Sequence, residues 1–323
     1  MNRMQSGFVS LIGRPNAGKS TLLNVLVGAK VAIVSDKPQT TRNRITGVKN
    51  VPGGGQIVFV DTPGIHRPLH RMNVRMVDSA IDTMGEVDVL AFVVDASAKP
   101  GKGDRFVLDV VKRAKIPVVL VLNKIDLIRK QTLLPLIDAY RREHDFKAIV
   151  PVSAVTGDGV DVLERALLAN LPEGEALYPD DYLTDQPERV MAAELVREKL
   201  LAHTRDELPF TTAVVIDQFE RLRPARAAGG HARERARDGA PRAQEEDGGL
   251  LRLYCTILVE QESHKPIVLG RRGEMIKRIG TEARLELERM FETKVFLDLH
   301  VKVKADWRDD ERVLDELNVP RRR

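Results

Sequence analysis

The stretch Gly13-Arg14-Pro15-Asn16-Ala17-Gly18-Lys19-Ser20-Thr21 decides how the first half of this chain folds. It follows the apolar run 8–12 and precedes the apolar run 22–26, so it predicts a strand, a glycine-rich loop and a helix. The spacing of its glycines, lysine and serine is that of a phosphate-binding loop. Backbone N–H groups and the helix N-terminus favour an anion at such a loop. The predicted nucleotide-binding residues here are Asn16, Ala17, Gly18, Lys19, Ser20 and Thr21.

Two side chains of this loop have distinct expected roles. Lys19 would reach the β- and γ-phosphates of a nucleotide, and the Ser20 hydroxyl would occupy one position on Mg²⁺. The alternative is a glycine-containing surface turn with an incidental Lys-Ser pair. The strand before the loop, the helix after it and the full spacing favour the phosphate site.

Composition bounds the remaining possibilities. The 323 residues are enough for two domains, and 43% hydrophobic with 30% charged residues is ordinary for a globular protein. A net charge of +4 permits a nucleic-acid partner without requiring one, and no run reaches the ~18 apolar residues of a membrane-spanning helix. The single cysteine, Cys255, excludes an internal disulfide and fits a reducing cytosol, so we expect a cytoplasmic protein.

Apolar runs alternate with helix-period segments through residues 8–170. The expected strands are Phe8–Ile12, Gln56–Asp61, Val87–Asp95, Pro117–Asn123 and Ala148–Val152. The expected helices are Ser20–Val27, Asn73–Met84, Arg105–Ala114, Leu133–Arg142 and Val160–Asn170. This alternation predicts an α/β fold with a mostly parallel sheet covered on both faces, which binds ligands at the carboxyl ends of its strands.

A second motif, Asp61-Thr62-Pro63-Gly64, ends one expected strand. Asp61 would meet Mg²⁺ through water, and the Gly64 N–H would contact a γ-phosphate and so sense its presence. Taken alone the motif is equally compatible with a β-turn. Its place about forty residues after a phosphate-binding loop favours nucleotide binding by all four residues.

The base would be read by Asn123-Lys124-Ile125-Asp126, which follows the fourth expected strand. The Asp126 carboxylate can accept from N1–H and N2–H₂ of guanine, a donor pair that adenine lacks. Asn123 would bind the purine edge and the phosphate loop, while the Lys124 stem would stack on the base. Ser153-Ala154, after the fifth strand, would bring a backbone N–H to guanine O6. The alternative to base recognition is a charged turn at the end of the strand.

The remaining loop signal is Pro38-Gln39-Thr40-Thr41-Arg42, where a threonine could complete the Mg²⁺ shell. With it, the elements GRPNAGKS, QTTR, DTPG, NKID and SA resemble the signature set of translation-factor-related GTPases, and in detail the Era family. The resemblance implies Thr41 as the Mg²⁺ ligand, K⁺ held by Asn16 near the phosphates, and Lys19, Thr41 and Gly64 at the reaction centre.

No glutamine follows Gly64; Ile65 and His66 stand there instead. The water-positioning glutamine of Ras-type enzymes is therefore absent, and we expect slow intrinsic GTP hydrolysis that K⁺ or a bound partner accelerates. His66 as a general base is one interpretation, and a surface residue of a switch loop is the interpretation we favour.

The second half centres on a Gly270-Arg271-Arg272-Gly273 loop between an apolar run and a helix. Such a loop clamps the backbone of about four nucleotides. Lys277 and Arg278 would add phosphate contacts to those of the two loop arginines. The order helix, strand, strand, helix, helix, strand resembles a type II KH domain. The alternative is a helix-turn-helix core element with a basic rim.

The domain boundaries follow from these assignments. We expect a GTP-binding domain at 1–172, a linker at 173–189, a KH-like α+β domain at 190–304 and a tail at 305–323. The segment 221–249 is rich in Arg, Ala and Gly, which predicts a disordered insert, either a solvated loop or an RNA-contacting arm.

The paired domains resemble the Era family across nearly the whole chain. That resemblance implies binding near the 3′ end of 16S ribosomal RNA and a role in 30S subunit maturation. We expect a monomer, with peripheral contact at the inner face of the cell membrane as a further possibility. Competing hypotheses are an RNA-binding protein that uses GTP as a structural ligand, a tRNA-modification GTPase, for which no catalytic cysteine or folate site is evident, and a membrane-remodelling GTPase.

Overall fold

The computed structural model describes residues 4–37, 39–64, 70–222 and 249–319. The described chain divides into two compact units. Unit 1 runs to Met191 and resumes at Asp306, and unit 2 comprises Ala192–Ala305. Residues 306–319 therefore belong with unit 1, although they follow unit 2 in sequence.

Unit 1 is built from alternating strands and helices. Its strands are β1 Met4–Ile12, β2 Ile45–Val51, β3 Gly55–Asp61, β4 Val89–Asp95, β5 Val118–Asn123, β6 Ala148–Pro151 and the short β7 Glu173–Gly174. Its first five helices are α1 Lys19–Val27, α2 Arg71–Met84, α3 Lys102–Val111, α4 Leu133–Arg141 and α5 Val160–Leu168. All ten elements expected between residues 8 and 170 are present; β1 starts earlier than expected and α3 is displaced toward the N-terminus.

These strands form one sheet in the order β2-β3-β1-β4-β5-β6, with β7 antiparallel to β1. The pairs β3–β1, β1–β4, β4–β5 and β5–β6 are parallel. The mostly parallel α/β fold is thus confirmed. The carboxyl ends of β1, β3, β4 and β5 share one edge, which is where the expected motifs lie.

Both faces of the sheet are buried. In β5, Val119 and Val121 enter the core beneath α1 and α5, whereas Leu120 and Leu122 enter the core beneath α2, α3 and α4. This alternation is the two-residue period of a strand, and it explains why a strand buried on both faces is apolar throughout.

The strand β2 was not expected, because its sequence Ile-Thr-Gly-Val-Lys-Asn-Val mixes polar and small residues. It lies at the sheet edge, antiparallel to β3. The expected linker covers that edge: Val48 N donates to the Leu183 carbonyl at 2.8 Å and Thr184 Oγ1 donates to the Thr46 carbonyl at 2.6 Å. A covered edge strand cannot recruit another strand. Residues 177–186 are therefore part of the packed structure of unit 1.

Unit 2 has the order helix, strand, strand, helix, helix, strand that was expected, with one extra short helix. Its elements are α6 Glu188–His203, which begins in unit 1, α7 Leu208–Thr211, β8 Thr212–Leu222, β9 Leu250–Val259, α8 His264–Leu269, α9 Glu274–Phe291 and β10 Lys294–Val303. The sheet order is β10-β9-β8, with β9 antiparallel to β8 and parallel to β10. The expected insert at 221–249 falls almost wholly outside the described residues; its first two residues, Arg221 and Leu222, end β8.

The chain ends with a 3₁₀ turn, Trp307–Asp309, and a short helix, α10 Glu311–Glu316. Asp310 caps α10 by accepting from the backbone N–H groups of Arg312 and Val313. The turn packs against α2, and Trp307 is completely buried. The expected tail at 305–323 therefore contains a short packed helix.

Candidate functional site

The phosphate-binding loop joins β1 to α1 at the carboxyl edge of the sheet. Gly18 has a φ of 90° and directly precedes the first residue of α1. A Cβ at this position would collide with the side-chain amide of Asn123, so the loop requires glycine there. A cleft lies in front of the helix N-terminus, bordered by the loop, by the segment 33–41 and by Gly64. Both the charge and the shape of this cleft suit an anionic ligand.

Lys19 is buried beneath the loop. Its Nζ donates to the carbonyl oxygens of Gly13 and Arg14, each at 3.3 Å. Burial lowers the pKa of the Lys19 ammonium, and the negative charge of Asp61 acts in the opposite direction. A phosphate beside Nζ would restore the stabilisation that the ammonium loses by leaving water.

Three oxygen-bearing side chains meet at the floor of the cleft. Ser20 Oγ donates to Asp61 Oδ2 at 2.7 Å and lies 2.8 Å from Thr41 Oγ1, which donates to the same carboxylate oxygen at 3.2 Å. The other oxygen, Asp61 Oδ1, is buried and has no hydrogen-bond partner among the described residues. Burial raises the pKa of Asp61, while Lys19 and the two hydroxyls lower it. A hard cation would satisfy this carboxylate, so the donor set fits Mg²⁺.

The two adjacent threonines of the 38–42 segment differ in geometry. Thr41 is buried and faces Ser20 and Asp61, whereas Thr40 Oγ1 donates to the Lys37 carbonyl at 2.7 Å. Only Thr41 therefore contributes to the oxygen cluster.

The Asp61–Gly64 motif lies against the phosphate loop. Thr62 Oγ1 donates to the Leu11 carbonyl at 3.0 Å, which ties the motif to β1. Pro63 comes next in the motif, followed by Gly64. A Cβ added to Gly64 would come within 2.8 Å of Pro15 N, so Gly64 lies directly against the phosphate loop and borders the cleft. Ile65 and His66 lie outside the described residues.

Asn123, at the end of β5, connects the three segments expected around a purine. Its Nδ2 donates to the Ala17 carbonyl at 2.9 Å, and its Oδ1 accepts from Ala154 N at 3.1 Å and from Lys124 N at 2.8 Å. Asp126 is exposed, with Oδ1 fixed by Ser153 Oγ at 2.6 Å. The carboxylate is thus exposed and held in one orientation.

Asp95, at the carboxyl end of β4, was not among the expected site residues. Its Oδ2 accepts from Lys124 Nζ at 2.8 Å and from Arg14 Nη2 at 3.3 Å, and its Oδ1 accepts from Ser97 Oγ. Burial raises the pKa of Asp95, but the hydrogen bonds from Lys124 and Ser97 outweigh burial and the pKa is lowered overall. A polar residue at the carboxyl end of a parallel strand was the available signal.

In unit 2 the glycine-rich loop links α8 to α9. Gly270 has a φ of 71°, and a Cβ there would come within 2.8 Å of Met275 N. Arg271, Arg272 and Lys277 are exposed, and Gly273 caps α9. Arg278 differs from them because its Nε lies 3.1 Å from Glu282 Oε1, so its charge is partly engaged.

A groove runs beside this loop between α9 and β10. Ile276, Leu297 and Leu299 supply apolar surface, while Lys277 and Arg284 supply positive charge. Arg284 was not expected as a site residue, although it lies two helical turns from Lys277 on the same face of α9. An apolar floor with a basic edge suits unstacked bases on a phosphate backbone.

Other site types are not evident in these units. Within residues 4–37, 39–64, 70–222 and 249–319, no cluster of three or more His, Cys, Asp or Glu side chains could hold a metal. Among the helices of that same part of the chain, none is both long and apolar enough to cross a bilayer.

Two family models match the chain in the order of its units. One, described as a 50S ribosome-binding GTPase, matches residues 8–124, and the other, a KH domain, matches residues 243–308. The GTPase Era of Geobacter metallireducens is 49% identical over 98% of both chains, and that of Ruminiclostridium cellulolyticum is 45% identical over 97% of both.

Solved structures give the same result. Era in complex with MgGDPNP and nucleotides 1506–1542 of 16S ribosomal RNA has a TM-score of 0.88 and 39% identity, covering 98% of this chain and all of that chain. A variant of Aquifex aeolicus Era bound to GDP and AlF₄⁻ has a TM-score of 0.87, with the same identity and coverage. With a GTPase unit, a KH unit and this similarity along almost its entire length, the chain belongs to the GTPase Era family.

Proposed function

We propose that the protein is a GTP-hydrolysing switch whose KH unit binds 16S ribosomal RNA near its 3′ end and acts in assembly of the 30S subunit. One observation carries the proposal. The same chain has a nucleotide cleft of the kind that binds guanine nucleotides and a basic groove beside a glycine-rich loop. The 98% coverage by Era bound to a 16S ribosomal RNA segment supports the RNA target.

At the phosphate end, four side chains have complementary tasks. Lys19 neutralises charge on the β- and γ-phosphates, while Ser20, Thr41 and Asp61 would hold Mg²⁺. When bound, Mg²⁺ offsets the negative charge of the phosphate oxygens. Because phosphoryl transfer depends on positioning and charge stabilisation, these residues need no covalent chemistry. The proximity of Ser20, Thr41 and Asp61 supports this assignment.

Gly64 donates its backbone N–H to the γ-phosphate and so reports whether the nucleotide is GTP or GDP. Its position against Pro15 at the cleft supports this role. Loss of the γ-phosphate releases Gly64 and Thr41 together, because both would be held by the same group.

At the base end, Asp126 accepts from guanine N1–H and N2–H₂. The Ala154 N–H, which donates to Asn123 Oδ1 at 3.1 Å, is shared with guanine O6. Asn123 binds the purine edge and keeps the base loop joined to the phosphate loop, which its bond to Ala17 supports. The Lys124 stem stacks on the base, and its salt bridge to Asp95 at 2.8 Å supports a fixed stem.

K⁺ is proposed to bind beside the phosphates at Asn16. Asn16 Nδ2 donates to the Asp36 carbonyl at 2.8 Å, and its Oδ1 accepts no hydrogen bond from the described residues. A cation at this oxygen would supply the positive charge that other GTPases obtain from an arginine finger. Without it, intrinsic hydrolysis is slow.

For RNA, the Gly270 and Gly273 backbone admits close approach of the nucleotide chain. Arg271, Arg272 and Lys277 contact phosphates, and Arg278 joins them. All four side chains are exposed, which supports these contacts. The groove between α9 and β10 receives the bases.

We also infer that the protein acts as a monomer in the cytoplasm, with peripheral contact at the inner face of the membrane as a secondary location. Light scattering in the presence of GDP measures the first property, and flotation with vesicles that contain anionic lipid measures the second. A dimer, or no flotation at low salt, contradicts these inferences.

Phosphate release by the full chain and by Lys19→Ala tests the enzymatic core of the proposal. Wild type releases phosphate from GTP but not from ATP, faster in KCl than in NaCl, and Lys19→Ala reduces the rate at least about a hundredfold. Wild type that binds GTP without releasing phosphate would instead be an RNA-binding protein with GTP as a structural ligand.

A further inference from the structure

The C-terminal tail, defined here as residues 306–319, packs within unit 1 rather than with the KH unit that it follows. It contacts two segments, each of which follows a cleft residue along the chain. One is Arg42-Asn43, immediately after Thr41, and the other is the start of α2, which comes after Gly64 in the chain. No role of the tail in the nucleotide cycle follows from the sequence motifs.

The first contact joins the tail to the segment after Thr41. The Arg42 guanidinium lies 5.5 Å from the centre of the Trp307 ring, and both side chains are buried. Asn43 Nδ2 donates to the Leu317 carbonyl at 3.1 Å. Two consecutive residues next to Thr41 are thus held by the tail, which restricts the backbone that aims Thr41 at Ser20 and Asp61.

The second contact joins the tail to α2. Arg75 is buried, and its guanidinium binds the carboxylates of Glu311 and Asp315 and donates to the Val319 carbonyl at 3.1 Å. Arg71 N, at the first turn of α2, donates to Asp309 Oδ1 at 2.9 Å. A buried guanidinium needs its carboxylate partners, so this contact fixes the start of α2.

We propose that the tail is a positioning element for GTP hydrolysis. It holds together the segment that carries Thr41 and the helix that comes after Gly64. Thr41 and Gly64 can therefore reach the γ-phosphate side of the cleft at the same time. The inference rests on the role proposed above for Thr41. Trp307, Asn43 and Arg75 act through other groups and are positioning residues, since none of them contributes an atom to the oxygen cluster at the floor of the cleft.

Single-turnover hydrolysis at saturating GTP and Mg²⁺ separates positioning from binding. Asn43→Ala removes the hydrogen bond to Leu317, and Asp315→Ala removes one partner of Arg75. The neighbouring Glu316→Ala is the matched control because Glu316 is exposed. We expect the first two variants to lose about tenfold in rate with an unchanged affinity for GDP, and the control to match wild type.

Trp307 is the only tryptophan of the chain, so its fluorescence reports the tail directly. The proposal requires its emission to differ between protein loaded with Mg²⁺–GDP and with a non-hydrolysable GTP analogue. Thr41→Ala should abolish the difference. Identical emission in the two wild-type states would overturn the proposal.

The variants distinguish the role of the tail from the role of Thr41 in holding the metal. Wild-type hydrolysis by Asn43→Ala and Asp315→Ala overturns the role of the tail, whereas wild-type hydrolysis by Thr41→Ala overturns the metal role of Thr41. A loss of GDP affinity in parallel with the loss of rate, together with a lower unfolding midpoint, would show that the tail only stabilises unit 1 and would also overturn the proposal.

Discussion

Asn123 illustrates how single residues organise this nucleotide cleft. Its amide links Ala17 of the phosphate loop, Lys124 of the base loop and Ala154 of the loop after β6. Because one buried side chain connects all three segments, we expect a displacement of the phosphate loop to shift the base loop, and the reverse. Asp126, which we propose reads the base, lies outside this network and is held by Ser153.

Asp126→Asn should change which purine the protein binds. An asparagine amide donates where guanine also donates, so affinity for GTP should fall by about 10³-fold or more. Xanthine carries a carbonyl at C2, which accepts from that amide, so affinity for xanthosine triphosphate should rise. Competition with labelled GDP measures both affinities, and an unchanged preference for guanine would exclude Asp126 as the base-reading residue.

Asp95 is expected to make the free energy of unfolding depend on pH. Its pKa is lowered in the folded protein, whereas an unfolded aspartate titrates near 3.9. The stabilisation from the carboxylate is therefore present above about pH 4 and lost as the pH falls through the folded value. The difference in free energy of unfolding between wild type and Asp95→Asn should shrink from about pH 6 to about pH 3.

Urea unfolding at each pH provides the measurement. Asp109→Asn, at an exposed position of α3, controls for the loss of one carboxylate. A difference between wild type and Asp95→Asn that grows on acidification would contradict the assignment.

At the scale of elements, the strands buried on both faces could be predicted from sequence and the edge strand could not. β5 is apolar at every position before Asn123, so its pattern is unambiguous. β2 contains Gly47 and Lys49, and its partner on the outer side is the irregular segment 177–186. Strand propensity depends on neighbours, and neighbours distant in sequence leave no local pattern.

The same limit applies to the sites. Lys19, Asp61 and Asn123 occur in motifs with fixed spacing, so their convergence could be anticipated. Asp95 has no motif, and its partners Arg14 and Lys124 come from different loops. Trp307 likewise gives no indication of its contact with Arg42, because the two lie at opposite ends of the chain.

Substitution of Gln56 tests how tightly the segment 177–186 packs on the sheet. It is fully buried in β3, and its amide bonds to Asn50 Oδ1, to Leu177 N and to the backbone N and O of Tyr178. Gln56→Ala leaves several buried groups unpaired and should lower the free energy of unfolding by about 2–4 kcal/mol.

The control for this prediction is Gln186→Ala. Gln186 Nε2 donates only to the Arg44 carbonyl among side-chain bonds in the described region, so its loss should cost about 1 kcal/mol or less. Equal costs for the two variants would show that the segment is not anchored through Gln56.

Substitutions in α9 should change the affinity for RNA and its dependence on salt. Lys277→Ala should weaken binding of a single-stranded 16S segment and reduce the slope of log K against log salt by about 0.7, the value for one lost phosphate contact. Arg289→Ala, at an exposed position near the end of the same helix, should leave the slope unchanged. A shared change in both variants would indicate a general loss of charge rather than a contact in the groove.

At the scale of the whole molecule, both chain connections of the KH unit begin beside the same part of the GTPase unit. Upstream, Gln186 and Thr184 bond to the backbone of Arg44 and Thr46. Downstream, the tail contacts Arg42 and Asn43. We expect a nucleotide-dependent change around Thr41 to act on both of these chain connections, and so to influence RNA binding.

We expect the bound nucleotide to control the affinity of the protein for RNA. The most direct measurement is equilibrium binding of the full chain to the 3′-terminal segment of 16S ribosomal RNA, once with Mg²⁺ and a non-hydrolysable GTP analogue and once with Mg²⁺–GDP, at one salt concentration. We expect tighter binding with the analogue by at least about tenfold, equivalent to a coupling free energy of about 1.4 kcal/mol. Equal affinity in the two nucleotide states would contradict the central claim.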